Sequence, residues 1–292
     1  MSLIPAYPEF APLTLEMARE ISPHLVRLPD GVSEYSFAGL YLFRYLYGYT
    51  VSIRNESLIV SGERAGKKFF ITPCGATGMD TIREMFETHS SWKLISPAFY
   101  ERHRDAIEAA GYSALEDRDN FDYLYLRTEL AALSGKKFHK KKNHVNAFEM
   151  SYPNHEIKPL NPDTRGDAMK VLELWKSREP DPDETDYQAA KESLELLDQF
   201  DMTGLVLYVD GNPVAWTLGE TVANGRVVAV HFEKGDTEYR GVYQFINYAF
   251  AQSLPESVEY INREQDLGDD GMRQAKMTYR PAGFVMKYRV NT

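Results

Sequence analysis

Apolar residues in the first half of the chain recur at two periods. Met17, Ala18, Ile21 and Leu25 fall at helical spacing after Thr14, a residue suited to capping, so a short amphipathic helix opens the chain. Residues 36–47 are apolar nearly all round, the pattern of a buried helix. From Tyr49 the period shortens to two: Tyr49, Val51 and Ile53 alternate with Thr50, Ser52 and Arg54. With residues 58–60 and 67–72 and the turn residues between them, this predicts an antiparallel set of strands. Ile82, Met85 and Phe86 mark a helix from about Asp80, and Ser96-Pro97 opens another that carries Phe99, His103, Ala106 and Ile107 and stops at Gly111. Strands near 112–115 and 122–127 close this half.

The second half begins with a strand at 157–160, followed by a helix with Ala168, Val171, Leu172 and Trp175 on one face. An acidic, proline-containing loop at 179–186 leads to a helix bearing Tyr187, Ala190, Leu194 and Leu197. Strands at 205–209 and 213–221 flank an Asp210-Gly211-Asn212 turn, and 226–233 adds a third. Val242, Phe245, Ile246, Ala249 and Phe250 form a strong amphipathic stripe. A strand at 258–262, a helix from Gly271 to Tyr279 and a last strand at 284–290 complete the half. The order β-α-α-β-β-β-α-β-α-β resembles that of the GNAT acyltransferase fold.

Charge adds a junction to this picture. The chain's 292 residues carry a formal charge of −10, yet residues 135–148 hold Lys136, Lys137, Lys140, Lys141 and Lys142, two histidines and no carboxylate. Without those five lysines, 28 basic residues would face 43 acidic ones. The positive charge is therefore local, and it lies between two stretches that each read as an α+β unit. Two readings stand: a landing place for a polyanion, or a solvated basic helix joining two domains. The expected division is residues 1–130, a junction helix at 131–150, and residues 151–292. One cysteine, Cys74, excludes an internal disulfide framework and fits a reducing compartment. No signal-peptide core or bilayer-length apolar run appears, so a cytoplasmic location is expected. Cys74 and His103 read as packing residues.

Several motifs sharpen the resemblance. They are Gly135-Lys-Lys-Phe-His-Lys-Lys-Lys-Asn-His144, His231-Phe-Glu-Lys-Gly-Asp236, Tyr260-Ile-Asn-Arg-Glu-Gln-Asp-Leu-Gly268 and Gly271-Met-Arg-Gln-Ala-Lys-Met-Thr-Tyr-Arg-Pro281, with Phe37-Ala-Gly-Leu-Tyr-Leu42 and Asp122-Tyr-Leu-Tyr125 in the first half. Together they resemble a bacterial family grouped with the C-terminal domain of phosphatidylglycerol lysyltransferases. The resemblance implies an α+β protein of two tandem GNAT lobes with mixed, mostly antiparallel sheets, as in Fem-type transferases, which take an amino acid from aminoacyl-tRNA.

The second lobe supplies the candidate chemistry. In a GNAT site the donor's pyrophosphate rests on backbone amides that open the helix after the fourth strand. Aligned on Gly241, that motif has Glu238 where Gln or Arg is usual and Tyr243 where Gly or Ala is usual, which weakens an acetyl-CoA role. Arg240, Gly241, Tyr243 and Gln244 would form this seat, and Asn262 and Arg263 lie at the end of the fifth strand beside the gap. His231 and Glu233, two apart on a strand, would leave one face, where either accepts a proton from an amine or stands as a surface polar group. Arg273, Lys276 and Arg280 form a cationic stripe that would hold a phosphate or carboxylate, or pair with Glu264, Asp266 or Asp269. Asp269 and Asp270 read as helix caps. Tyr279 corresponds by analogy to a GNAT general acid. No zinc spacing, Walker loop or dinucleotide fingerprint appears. The expected function is an acyl- or aminoacyltransferase with acyl-CoA or aminoacyl-tRNA as co-substrate and none tightly bound. Its acceptor would be a small molecule, peptide or lipid headgroup with an amine or hydroxyl. The alternative is a non-catalytic tandem GNAT protein that binds tRNA or another polyanion through the lysine-rich junction.

Overall fold

The computed structural model describes residues 2–73 and 78–291; Cys74 lies outside them. The first half runs β1 (Ala11–Pro12), α1 (Ala18–Leu25), α2 (Phe37–Leu42), α3 (Arg44–Tyr47), β2 (Thr50–Arg54), β3 (Ser57–Arg64), β4 (Lys67–Ile71), α4 (Met79–Phe86), β5 (Ser91–Ile95), α5 (Pro97–Ala109), β6 (Ala114–Glu116) and β7 (Asp122–Leu126). Then come α6 (Arg127–Ala132), α7 (His139–Ser151), β8 (His155–Pro159), α8 (Arg165–Arg178), α9 (Tyr187–Glu195), β9 (Met202–Val209), β10 (Asn212–Val222), β11 (Val227–Gly235), α10 (Val242–Ser253), β12 (Tyr260–Asn262), α11 (Asp270–Met277), β13 (Gly283–Val285) and β14 (Tyr288–Asn291).

Local chemistry sets most of these boundaries. Ser36 accepts a hydrogen bond from the Gly39 amide, Ser96 from Phe99 and Asp269 from Met272, so each satisfies an otherwise orphaned helix N–H. The apolar stretch 36–47 is two helices, because the backbone of Phe43 (φ −98°, ψ 6°) leaves the helical region. Its ring stacks on Phe232 of the second half, with centroids 6.2 Å apart. Periodicity does not predict strand β5; only Trp92 and Leu94 alternate there, too few positions to reveal a period.

The two sheets share one plan. The first is ordered β1-β2-β3-β4-β5-β14-β6 and the second, read from its other edge, β8-β9-β10-β11-β12-β7-β13. In each, a parallel contact (β4 with β5, β11 with β12) follows antiparallel strands. The next strand then comes from the opposite half: β14 lies beside β5, and β7 beside β12. The expected boundaries at 130 and 151 therefore do not separate the sheets. Alternation at 122–126 signals a strand without naming its sheet; Tyr123 and Tyr125, fully buried, place it in the core of the second. The expected strand at 284–290 likewise divides into β13 and β14, which join different sheets with the buried Lys287 at the crossing.

Three larger cores follow. One backs the first sheet around Phe70, Trp92, Ile107 and Val290, and one lies between the second sheet and α10 around Leu207, Val228, Phe245 and Phe250. The third runs through both halves, joining Leu40 and Val60 to Leu172, Leu194, Trp216 and Phe232. Fully burying each such side chain contributes about 1.5–3 kcal/mol. Arg44 crosses between the halves as well, with a bidentate grip on Glu192 at 2.6 and 2.8 Å.

Candidate functional site

The ladder between β11 and β12 ends at Ala229 and Asn262, and beyond it the chain does not continue the pairing. The residues that leave this point, Asn262 to Asp266, send their side chains into different networks. Glu264 (φ 55°) sits in the left-handed region, held there by two hydrogen bonds: its N–H donates to Asn262 Oδ1, and its carbonyl accepts from the Tyr123 N–H.

Asn262 turns inward. Its Nδ2 donates to the Gly31 carbonyl and to Asp122, and the side chain has no exposure. Asp122, also fully buried, accepts from the Ser33 amide and hydroxyl and from Lys287 at 2.7 Å. Lys287 donates in turn to Glu34 at 2.5 Å. Burial pushes the Glu34 carboxyl up to about 7, against the pull of Lys287 and with the help of Asp122. Gln265 reaches the Ser33 hydroxyl at 3.1 Å, so this network ties both halves together.

Arg263 faces the other way and spans the gap to Glu233 at 3.0 Å; Asn247 of α10 also donates to Glu233. Tyr279, buried, lies with its ring centroid 5.2 Å from the Arg263 guanidinium, and burial pushes its hydroxyl up to about 12. Asp266 accepts from Tyr123, Arg118 and Arg273; burial would raise its pKa, but these partners hold it well below the usual carboxylate range.

The two-residue spacing predicts one face for His231 and Glu233, and the structure separates them. Between β10 and β11, Leu218 pairs with Phe232 and Gly219 with Val230, leaving His231 as the extra residue of a β-bulge. Glu233 meets α10, whereas the His231 ring has its Nδ1 2.7 Å from Glu264 and its Nε2 2.7 Å from Glu220. Burial alone would lower this ring's pKa, but the two carboxylates outweigh it and push it up to about 10. At neutral pH the ring is an imidazolium that donates both N–H groups and has no lone pair to accept a proton. The expectation of His231 as general base is therefore corrected: the clamp makes it a holder of Glu264. Its partners keep partial exposure; Glu220 carries no signal in the sequence, and Glu264, expected only as an ion-pair partner of the Arg273–Lys276 stripe, meets the histidine instead. Gly219 carries a signal for the bulge, since a side chain there would meet the Ala229 carbonyl at 2.4 Å.

Most of the other expected donor-binding groups are engaged within the chain. Arg273 pairs with Asp266 and Asp119 at 2.8 Å, and the Lys276 ammonium donates to the Arg263 and Gln265 carbonyls. Lys276 is spent on the 262–268 segment that α11 covers, and Arg273 is shared between that segment and Asp119 of the first half. Burial lowers Lys276 to about 8. Asn262 is bonded inward as described. Tyr243 fixes the end of β11, its hydroxyl donating to the Gly235 carbonyl and accepting from its amide. Glu238, a poor neighbour for pyrophosphate, pairs with Arg178 at 2.9 Å. Gly241 caps α10 at φ 89°, and a side chain on it would meet the His144 carbonyl of α7 at 3.0 Å. Helix α7 thus packs against the seat where a CoA pyrophosphate would rest. Arg240 stays exposed and Gln244 is half-buried.

The lysine strip divides along α7. Lys136, Lys137 and Lys140 are exposed, and Lys137 pairs with Glu129. Lys141 and Lys142 are half-buried, beside Val145 and Phe148 on the face toward α10. Among the described residues, no helix is long and apolar enough to cross a membrane.

Residues 26–291 match the family described as phosphatidylglycerol lysyltransferase, C-terminal. The chain belongs to this family. A crystal structure of a conserved protein of unknown function from Bacteroides thetaiotaomicron VPI-5482 is similar at TM-score 0.84 and 30% identity, covering 97% of this chain and 98% of that one. The C-terminal domain of a putative lysylphosphatidylglycerol synthetase from Agrobacterium fabrum is similar at TM-score 0.67 and 16% identity, over 95% and 92%. A tandem GNAT protein from the clavulanic acid biosynthesis pathway shares the fold at TM-score 0.50 and 9% identity, over 97% and 98%. An uncharacterised protein of Mycoplasmoides gallisepticum is 22% identical over 172 residues; the chain spans about half (55%) of the length of this curated relative. The fold of this phosphatidylglycerol lysyltransferase-family chain is α+β with tandem GNAT-like lobes, as the motifs implied.

Proposed function

We propose that the chain transfers an aminoacyl group from aminoacyl-tRNA to a hydroxyl or amine acceptor, in the region around the 262–266 segment. The observation that carries this reading is the family match, which runs through both lobes and includes every residue of that segment. Two features favour a tRNA-borne donor over acyl-CoA: α7 packs on Gly241, and Glu238 and Tyr243 replace the residues a pyrophosphate seat uses. The outward lysines Lys136, Lys137 and Lys140 meet the body of the polyanion, and Lys141 and Lys142 its inner end. The family's description makes a phosphatidylglycerol headgroup the first acceptor to test.

In this mechanism Glu264, oriented by the His231 imidazolium, takes the proton from the acceptor as it attacks the ester carbonyl. Glu233 positions Arg263, whose guanidinium lies beside the developing oxyanion. Tyr279, which keeps its proton at neutral pH, gives it to the departing ribose oxygen.

The test supplies labelled aminoacyl-tRNA or labelled acetyl-CoA with phosphatidylglycerol vesicles or soluble amines. Label should move from aminoacyl-tRNA, and Glu264→Gln should lower kcat by about 10²- to 10³-fold with tRNA affinity unchanged. Turnover of acetyl-CoA alone overturns the donor. The ion pair that bridges the gap favours the second reading, a tRNA-binding protein that transfers nothing. Tight tRNA binding without turnover of any acceptor would select it.

A further inference from the structure

Three elements of the first half enclose a hollow of about 320 Å³. The N-terminal segment supplies Ile4, α1 supplies Ile21 and the β2–β3 hairpin supplies Leu58; all three are buried and form an apolar floor. The N-terminal segment is strapped down from both sides. Glu20 of α1 accepts from the Ser2 hydroxyl at 2.7 Å and the Leu3 amide at 2.8 Å. The Ile53 backbone of β2 donates to the Pro5 carbonyl at 3.0 Å and accepts from the Tyr7 amide at 2.9 Å. The walls are therefore held by the chain's own bonds, and the volume falls in the small-ligand range of about 300–1,000 Å³.

The rim is charged, and its charges are not spent on each other. Arg19 and Glu56 both line the hollow, and among the described residues neither side chain makes an ion pair or a hydrogen bond. Two backbone features add to this. Asn55 and Glu56 form the two-residue turn of the β2–β3 hairpin at φ 50° and 64°, and the second position of such a turn favours glycine. A carboxylate is thus held at the rim against the preference of its own backbone. On the opposite wall Pro23 lies inside α1 and has no N–H, so the Arg19 carbonyl lacks its helical donor. Arg19 and Pro23, one turn apart, both line the hollow, which adds a backbone acceptor to the rim.

We infer that this hollow binds a free α-amino acid with a branched or aromatic side chain. The side chain lies on Ile4, Ile21 and Leu58, and the carboxylate meets the Arg19 guanidinium. The ammonium meets Glu56, with the Arg19 carbonyl as its second acceptor. An apolar ligand of one charge would leave either Arg19 or Glu56 without a partner, whereas a zwitterion meets both. The lining runs only from Ile4 to Leu58, so the site is separate from the 262–266 segment and does not depend on the transfer reading.

The experiment is calorimetric titration of the full chain with leucine, phenylalanine, glycine, N-acetylleucine and leucinamide. Leucine and phenylalanine should bind and raise the melting temperature. Glycine, which has no side chain for the floor, and the two derivatives, each lacking one charge, should bind at least tenfold more weakly. Arg19→Gln should weaken leucine binding at least tenfold. Glu56→Gly is the stricter variant: it relieves the left-handed turn, so the melting temperature of the free chain should hold or rise while leucine binding falls at least tenfold. No binding of leucine or phenylalanine up to about 10 mM overturns the assignment. So does glycine or either derivative binding as tightly as leucine, or leucine binding unchanged in either variant.

Discussion

The gaps beside the two parallel strand pairs are built on the same strand plan and filled with different chemistry. Next to β4 and β5, Phe70 and Trp92 stack at 6.0 Å with planes 4° apart, Phe86 packs edge-on, and Trp92 donates to Thr72. Next to β11 and β12 stand Glu233, Arg263 and Tyr279, with the His231 clamp and the Lys287 network alongside. A repeated backbone plan thus leaves one copy free to pack apolar groups, while the other concentrates charges whose partners come from both lobes. Fold alone does not locate chemistry; the side chains in the gap do.

Removing one charge from the second lobe and one ring from the first should separate these two modes most forcefully. Lys287→Met leaves the buried Asp122 and the half-buried Glu34 without their cation and should cost about 3–5 kcal/mol in urea unfolding at pH 7, shrinking at acid pH as the carboxyls protonate. Trp92→Ala should cost a similar ~3–5 kcal/mol through its cavity, with little dependence on pH. Equal pH behaviour of the two variants would erase the contrast.

A smaller effect follows from proton linkage. Glu34 has its folded pKa raised to about 7, so the stability linked to it is full below its ordinary range near 4.5 and is lost as pH rises through 7. His231, raised from 6.5 to about 10, contributes stability that is full below 6.5 and lost as pH rises through 10. Melting temperatures should therefore fall in two successive windows, the lower removed by Glu34→Gln and the upper by His231→Asn. A flat profile in wild type from pH 4.5 to 10 would contradict both. The smallest effect expected is that of Lys137→Ala, whose exposed pair with Glu129 should change stability by no more than about 0.5 kcal/mol by the same unfolding assay.

Much of this frame is legible in the residues. The stripe from Val242 to Phe250, the Asp210-Gly211 turn and the caps at Ser96 and Asp269 stand where periodicity and capping chemistry put them. The exchange of β7 and β14 is not legible, because alternation gives a strand two faces and says nothing of its neighbours. The bulge at His231 defeats the two-residue period for a related reason: one added residue reverses every side chain after it. Within the candidate site, the motifs point to the 262–264 segment but not to Glu264 itself. Glu34, Asp122 and Lys287 lie far apart along the chain, and only the strand crossing brings them within bonding reach.

The crossing also bears on how the chain is made. Because β14 lies between β5 and β6, a ribosome releases every other strand of the first sheet long before the segment that fills its interior position. Until then β5 and β6 have an unoccupied lane between them, and the nascent first lobe waits, open-edged, for the last element of the second.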